Sequence, residues 1–239
     1  MVFWRKRGVI WNKSCIFAPR KAQDAQLNKE LRMSAERNHI KVFVSSTVYE
    51  FETELSRVFA QLDGYGYDVC MSKEGTVPLD SRLSNLVNCV NAVEECDVFL
   101  GIIRPLLGTG ILEPQGRSIT AQEFDKALEL EMPRFVLADY RVEFAHKFLN
   151  LMGQSLSAIP NYKERLVERN GQKVLERKPN LVVHGECVEV YRQAIQNQKA
   201  PKNRVGNWAQ PYKDYEDISR FVEAQFKDVE RIKAMIDGR

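Results

Sequence analysis

The stretch from Asp97 to Leu137 constrains the fold more than any other part of the chain. Asp97-Val98-Phe99-Leu100-Gly101-Ile102-Ile103 is a short apolar run that gives way to a loop bearing glycines. A run of this kind suits a strand buried on both faces of a parallel sheet. Further on, Thr120-Ala121-Gln122-Glu123 has the spacing of a capping box, which predicts a helix running to about Glu131. After Pro133, Phe135-Val136-Leu137 begins another buried strand. Strand, loop, helix and strand make a βαβ unit with Glu123 on the first helical turn. In open parallel sheets ligands sit outside the carboxyl ends of the strands, where this turn lies. Two roles are open to Glu123: a cap for its own helix, or a carboxylate that meets a ligand.

The chain before this unit repeats the pattern. Ile40 to Val44 is rich in β-branched and aromatic residues, and a helical spacing follows through Val48, Phe51, Leu55, Val58, Phe59 and Leu62. Between them stand Ser45, Ser46 and Thr47, small hydroxyl residues that suit a phosphate or ribose at a helix N-terminus, or a plain helix cap. Gly64-Tyr65-Gly66 turns the chain into a second strand, Tyr67 to Met71, and a polar loop spans Lys73 to Asp80. Ser81 or Ser84 then caps a helix through Leu83, Leu86, Val87, Val90 and Val93. The order β-α-β-α-β-α-β with short connections predicts a flavodoxin-like α/β three-layer sandwich, a central parallel sheet flanked by helices.

Beyond Asp139 the expectations are a mostly helical extension over 140–239 packing on a core of 38–139. Phe144, Phe148, Leu149 and Met152 carry a helical spacing, and Asn170-Gly171 marks a hairpin turn. Leu181-Val182-Val183 reads as a last strand or as the lead into a helix through Val188, Tyr191 and Ile195. A closing helix is expected with Ile218, Phe221, Val222, Phe226 and Val229 on one face; Trp208 and Tyr212 read as core residues ahead of a pocket rim or a partner surface.

Charge and cysteine usage exclude several classes. The net charge of +3 is uneven, since eight Lys/Arg against Asp24 and Glu30 give the first 32 residues +6 and leave −3 for the rest. That body has no aromatic-interleaved basic stripe, so no nucleic-acid partner is expected. The basic leader, residues 1–37, reads as a mis-assigned start upstream of Met33, a disordered arm, or a membrane-surface arm. No apolar run reaches the length of a membrane span. Cys15, Cys70, Cys89, Cys96 and Cys187 are odd in number, without C-x-x-C or nearby histidines, which favours free thiols in the cytoplasm and no metal site. Gly108-Thr109-Gly110 lacks the third glycine of a dinucleotide fingerprint, Glu113 standing in its place. His39, His146 and His184 lie far apart with no serine or cysteine elbow, against a hydrolase triad.

Three motifs in order carry a family resemblance: K-V-F-V-S-S-T at Lys41–Thr47, C-x6-C-D-V-F-L-G-I-I at Cys89–Ile103, and G-R-S-I-T-x-x-E-F-x-x-A at Gly116–Ala127. Over roughly Ile40 to Asp139 the chain resembles a TIR-like family with an S-S-T first loop, long catalogued as a domain of unknown function. TIR domains and the related nucleoside deoxyribosyltransferases place a glutamate on the helix after the third strand, and in active members it works at the anomeric carbon of a ribose. Glu123 matches it. Leu55 and Leu107 depart from the family, which usually has an arginine and an aromatic at those places.

The resemblance implies NAD as substrate rather than cofactor, hydrolysed or cyclised at its nicotinamide–ribose bond with Glu123 as the catalytic residue. Ser45, Ser46 and Thr47, with Arg104, Arg117 and Ser118, become the expected substrate contacts; Asp125 and Asp139 are lesser candidate carboxylates. It further implies self-assembly, a nucleotide signal passed to a separate effector protein, and a place in antiviral defence of the bacterial kind. The alternatives are a non-catalytic TIR-like adaptor, in which Glu123 is a helix cap, and a nucleoside N-glycosidic bond enzyme. No fused repeat or NTPase segment is seen, which leans toward an enzyme.

Overall fold

The computed structural model describes residues 39–106, 117–159, 162–169, 171–179 and 182–238. The leader 1–37, Leu107, Gly108-Thr109-Gly110, Asn170 and Leu181 lie outside the described residues. The strands are β1 (Lys41–Ser46), β2 (Asp68–Cys70), β3 (Val98–Ile103), β4 (Arg134–Asp139), β5 (Tyr162–Arg169), β6 (Gln172–Pro179) and β7 (Ala209–Tyr212). Five of them form a parallel sheet in the order β2-β1-β3-β4-β7, while β5 and β6 pair as a separate antiparallel hairpin. The helices are α1 (Glu52–Gly64), α2 (Asn85–Glu94), α3 (Ile119–Glu129), α4 (Tyr140–Leu151), α5 (Gly185–Ala194), α6 (Tyr215–Phe226) and α7 (Val229–Asp237).

The sheet is covered on both faces, as its unbroken apolar strands require. All six residues of β3 are buried. Alternation along the strands divides the core in two. Val42, Val44, Leu100 and Ile102 meet α1, α6 and α7, whose Leu55, Val58, Ile218, Phe226 and Ile232 are buried. Phe43, Phe99 and Ile103 point the other way, to Ala92 and Val93 of α2, Phe124 of α3 and Val188 of α5. The α/β three-layer sandwich expected from the element order is the architecture found. Leu55, where the resemblance led to an arginine, is a core residue.

Several local expectations are corrected. The helix after β1 begins at Glu52 rather than Val48, because Val48–Phe51 forms a turn with Glu50 at φ 56°. Neither Ser45 nor Ser46 caps it; its N-cap is Phe51, with no side-chain bond. Val183 leads into α5, so the last strand is β7, Ala-Gln-Pro-Tyr, too short and too polar to announce itself. Its edge position in the sheet tolerates Pro211. Trp208 is exposed and Tyr212 buried. The closing helix is two helices, with Asp228 capping the second. In α4 the buried residues are Val142, His146 and Leu149, while Phe144, Phe148 and Met152 face outward. Among the described residues no helix is long and apolar enough to cross a membrane.

Candidate functional site

Strand parity builds the site. Side chains two apart share a face, so Ser45 follows Phe43 toward α3 at the carboxyl end of β1. Its register partner on β3 is Gly101, whose missing side chain lets the Phe124 ring of α3 lie close against the sheet. Order β2-β1-β3 means that the chain leaves β1 toward one edge and returns to place β3 on its other side. The gap between β1 and β3 is therefore the switch point of the sheet, where ligands bind in open α/β folds.

Glu123 hangs into that gap. The capping box expected at Thr120 and Glu123 is not what opens α3: Ser118 is the N-cap, accepting from the Ala121 backbone N–H at 3.2 Å. With the helix begun two residues earlier, Glu123 lies past the first turn and is free of capping duty. Its Oε2 accepts a 2.5 Å hydrogen bond from Ser45 Oγ, and the Cys89 thiol of α2 donates to it as well. Burial pushes the Glu123 carboxyl up to about 7, with the Ser45 and Cys89 donors pulling the other way. Burial likewise pushes the Cys89 thiol up to about 12, so it is a donor and not a nucleophile.

A cavity of about 300 Å³ opens over this carboxylate. Ser46, Thr47 and Thr120 supply hydroxyls to its wall, and Val77, Leu79 and Ile119 supply apolar surface. Among the residues described around it there is no Lys or Arg. Its outer wall, the loop after β2, is fastened at both ends. Near its start Glu74 accepts from Ser56 Oγ of α1 at 2.6 Å, and Gly75 turns the chain at φ 71°. At its far end the buried Asn88 amide accepts from Asp80 N at 3.0 Å and donates to Asp80 O at 3.1 Å. Asn88→Ala is expected to lower unfolding stability by about 1–3 kcal/mol, measured in urea, because it orphans both backbone groups.

The remaining candidates stand elsewhere. Arg104 is buried, donates to the Tyr49 carbonyl and lies over the Phe51 ring, its guanidinium carbon 4.6 Å from the centroid. It organises the turn after β1 and does not line the main cavity. Ser118 is spent on the α3 cap and on Glu186, to which its Oγ donates at 2.7 Å. Arg117 pairs with Asp125 at 3.3 Å and bonds Gln193 of α5, directed away from Glu123. Asp139 caps α4 and is gripped by Arg141. So of the predicted contacts, Ser45, Ser46 and Thr47 join Glu123, while Arg104, Arg117 and Ser118 do not. His184 caps α5, and His146 contacts Asn150, Arg192 and the Tyr191 ring.

Cys89 is the cavity-lining residue that the sequence left unread. It opens the C-x6-C motif, yet an apolar neighbourhood made it look like plain core. A helical register putting it opposite the α3 glutamate was the one available signal.

The three quoted motifs, the cavity and the β5–β6 hairpin fall within one family match. The model of the family described as a domain of unknown function, DUF4062, covers residues 41–179. The chain belongs to that family. No match was found among curated proteins or among solved structures. The DUF4062 segment starts with β1 and stops at the end of β6, so α5, β7 and the closing helices are built by chain beyond it.

Proposed function

We propose that this DUF4062 protein cleaves an N-glycosidic bond to ribose, with NAD as substrate and Glu123 as the carboxylate at the anomeric carbon. One observation carries the reading: a buried carboxylate, without a cationic partner among the described residues, lies in a cavity at the sheet's switch point. The resemblance to TIR domains supports it, since their catalytic glutamate occupies the corresponding place. A lone carboxylate favours a cationic group beside it, and the pyridinium of NAD is such a group. The ribosyl–nicotinamide half suits a cavity of about 300 Å³ with apolar and hydroxyl walls. The diphosphate would then lie outside it, since the described wall offers no cation to hold it within.

In the reaction the C1′–N bond breaks with its electron pair moving to the ring nitrogen, so nicotinamide leaves neutral and needs no acid. Ionised Glu123 steadies the oxocarbenium-like ribose or bonds to it. Water then adds at C1′ and loses its proton, giving ADP-ribose; attack by a nitrogen of the adenine instead gives a cyclic product. The size of the cavity also favours a second reading, a nucleoside substrate whose base is exchanged or hydrolysed at the same carbon.

Nicotinamide release from NAD by concentrated protein, followed by chromatography, tests the proposal. Nucleosides without NAD turnover would support the second reading, and inertness toward both would sink the two together. The required ionised form makes kcat/KM rise with pH through about 7. Ser45→Ala removes a donor that stabilises the carboxylate, so its ascending limb is expected about one pH unit higher. An unmoved limb would detach the titration from Glu123.

A further inference from the structure

The outward face of α4 is the part of the molecule that the active-site reading leaves unexplained. Tyr140, Phe144, Phe148 and Leu151 are 45%, 65%, 49% and 82% exposed, and Met152 just past the helix is 55% exposed. At a hundred degrees per residue the four helical positions fall within an arc of about 80°. Val142, His146 and Leu149 bury the opposite side, so α4 is apolar on both faces. Phe144 and Phe148 already stack on each other in water, 5.9 Å between centroids. A continuous stripe of this kind is as large as the largest patch a monomer ordinarily exposes, and such patches are often interaction sites.

We infer that this stripe joins two copies of the chain through a two-fold axis crossing α4 near His146. The sequence along the stripe is self-complementary about that point. With the helices antiparallel, Phe144 meets Phe148 of the partner, and Tyr140 meets Leu151 and Met152 of the partner. Charge follows the same symmetry. Glu143 and Lys147 flank the stripe, paired at 2.8 Å within one chain, and the antiparallel arrangement sets Glu143 opposite Lys147 of the partner. The five side chains offer roughly 500 Å² on each copy, taking aromatic groups at their usual size. Two such faces bury about 1,000 Å², the lower bound of a specific interface. The result is a weak, reversible dimer. It does not depend on the reading of Glu123.

Sedimentation equilibrium of the full chain across a concentration series tests it, with circular dichroism to establish that each variant is folded. Wild type is expected to move from monomer to dimer as concentration rises. Phe144→Asp is expected to weaken the dimer by at least about tenfold. Glu143→Lys and Lys147→Glu each place like charges across the axis and should weaken it, and combining them should restore it. A wild type that stays monomeric, or a dimer indifferent to all four variants, would overturn the inference. So would single charge reversals that the double variant fails to rescue.

Discussion

Glu123→Gln is expected to abolish the nicotinamide release proposed above and at the same time to make the protein more stable at pH 8. Both halves follow from one buried carboxyl. For activity, the amide keeps the size and can still accept from Ser45 Oγ, so the cavity is preserved. What it loses is the negative charge beside a developing oxocarbenium ion. Preorganised electrostatic contributions of that kind are worth about a hundredfold to a thousandfold in rate. For stability, the carboxyl titrates at about 7 in the folded protein against 4.5 when unfolded. Between those values the native state holds the extra proton, so stability falls as pH rises through that window and the cost is complete above it. A shift of this size amounts to about 3 kcal/mol, which the neutral amide does not incur. Several degrees of melting temperature should appear at pH 8, and under about 1 kcal/mol of difference should remain at pH 5. Ser118→Ala is the contrast, because it removes the actual cap of α3 and should cost about 1 kcal/mol. A Glu123→Gln protein that is inactive but no more stable at pH 8 would leave the carboxylate catalytic while refuting its perturbed state. One that keeps full turnover would remove Glu123 from the chemistry.

The layers of this fold were legible because periodicity reports burial directly. β3 reads as apolar at every position, and α1 repeats its buried residues at three- and four-residue intervals, so element type and order follow from the chain alone. What the sequence could not report was which face of a twice-apolar helix turns inward. In α4 the aromatic residues made the stronger periodic signal, yet the sheet takes Val142 and Leu149 instead. β7 was invisible for the opposite reason, since four residues with a proline carry no period at all. At the site, spacing located Glu123 but assigned its cap wrongly. Ser118 and Thr120 are both N-cap residue types, and only the backbone, extended at Ser118, decides between them. The arginines misled because position after a strand says nothing of direction. Arg104 turns aside to the loop after β1 and donates to the Tyr49 carbonyl. Cys89 reaches the site only through the packing of two helices that are distant in sequence.

Gly101→Ala is expected to damage stability and site together. Gly101 sits in the middle of the buried β3 ladder, beside Ser45 on β1 and Val136 on β4. A methyl group there would stand 2.6 Å from Phe124 Cζ, nearer still to Cε2, and 3.0 Å from Phe99 Cε1. Both rings are fully buried, and Phe124 is packed edge-on against Phe99 at 5.0 Å. Neither can step aside into solvent. Forcing a methyl into such a core costs about 1–3 kcal/mol, and the strain is relieved by moving α3 away from the sheet. Glu123 precedes Phe124 on that helix, so the same movement lengthens its bond to Ser45 and loosens the carboxylate. Activity should therefore fall further than unfolding accounts for at a temperature where the variant is still native. Replacing the ring offers the control. Phe124→Leu alone leaves a gap and destabilises, but in the Gly101→Ala background the smaller side chain makes room for the methyl. The double variant should be more stable than the sum of the two single effects by about 1 kcal/mol or more, as neighbours sharing one space are. Additivity in urea titrations would mean that the helix does not rest on that glycine, and that some other contact sets the distance between Glu123 and Ser45.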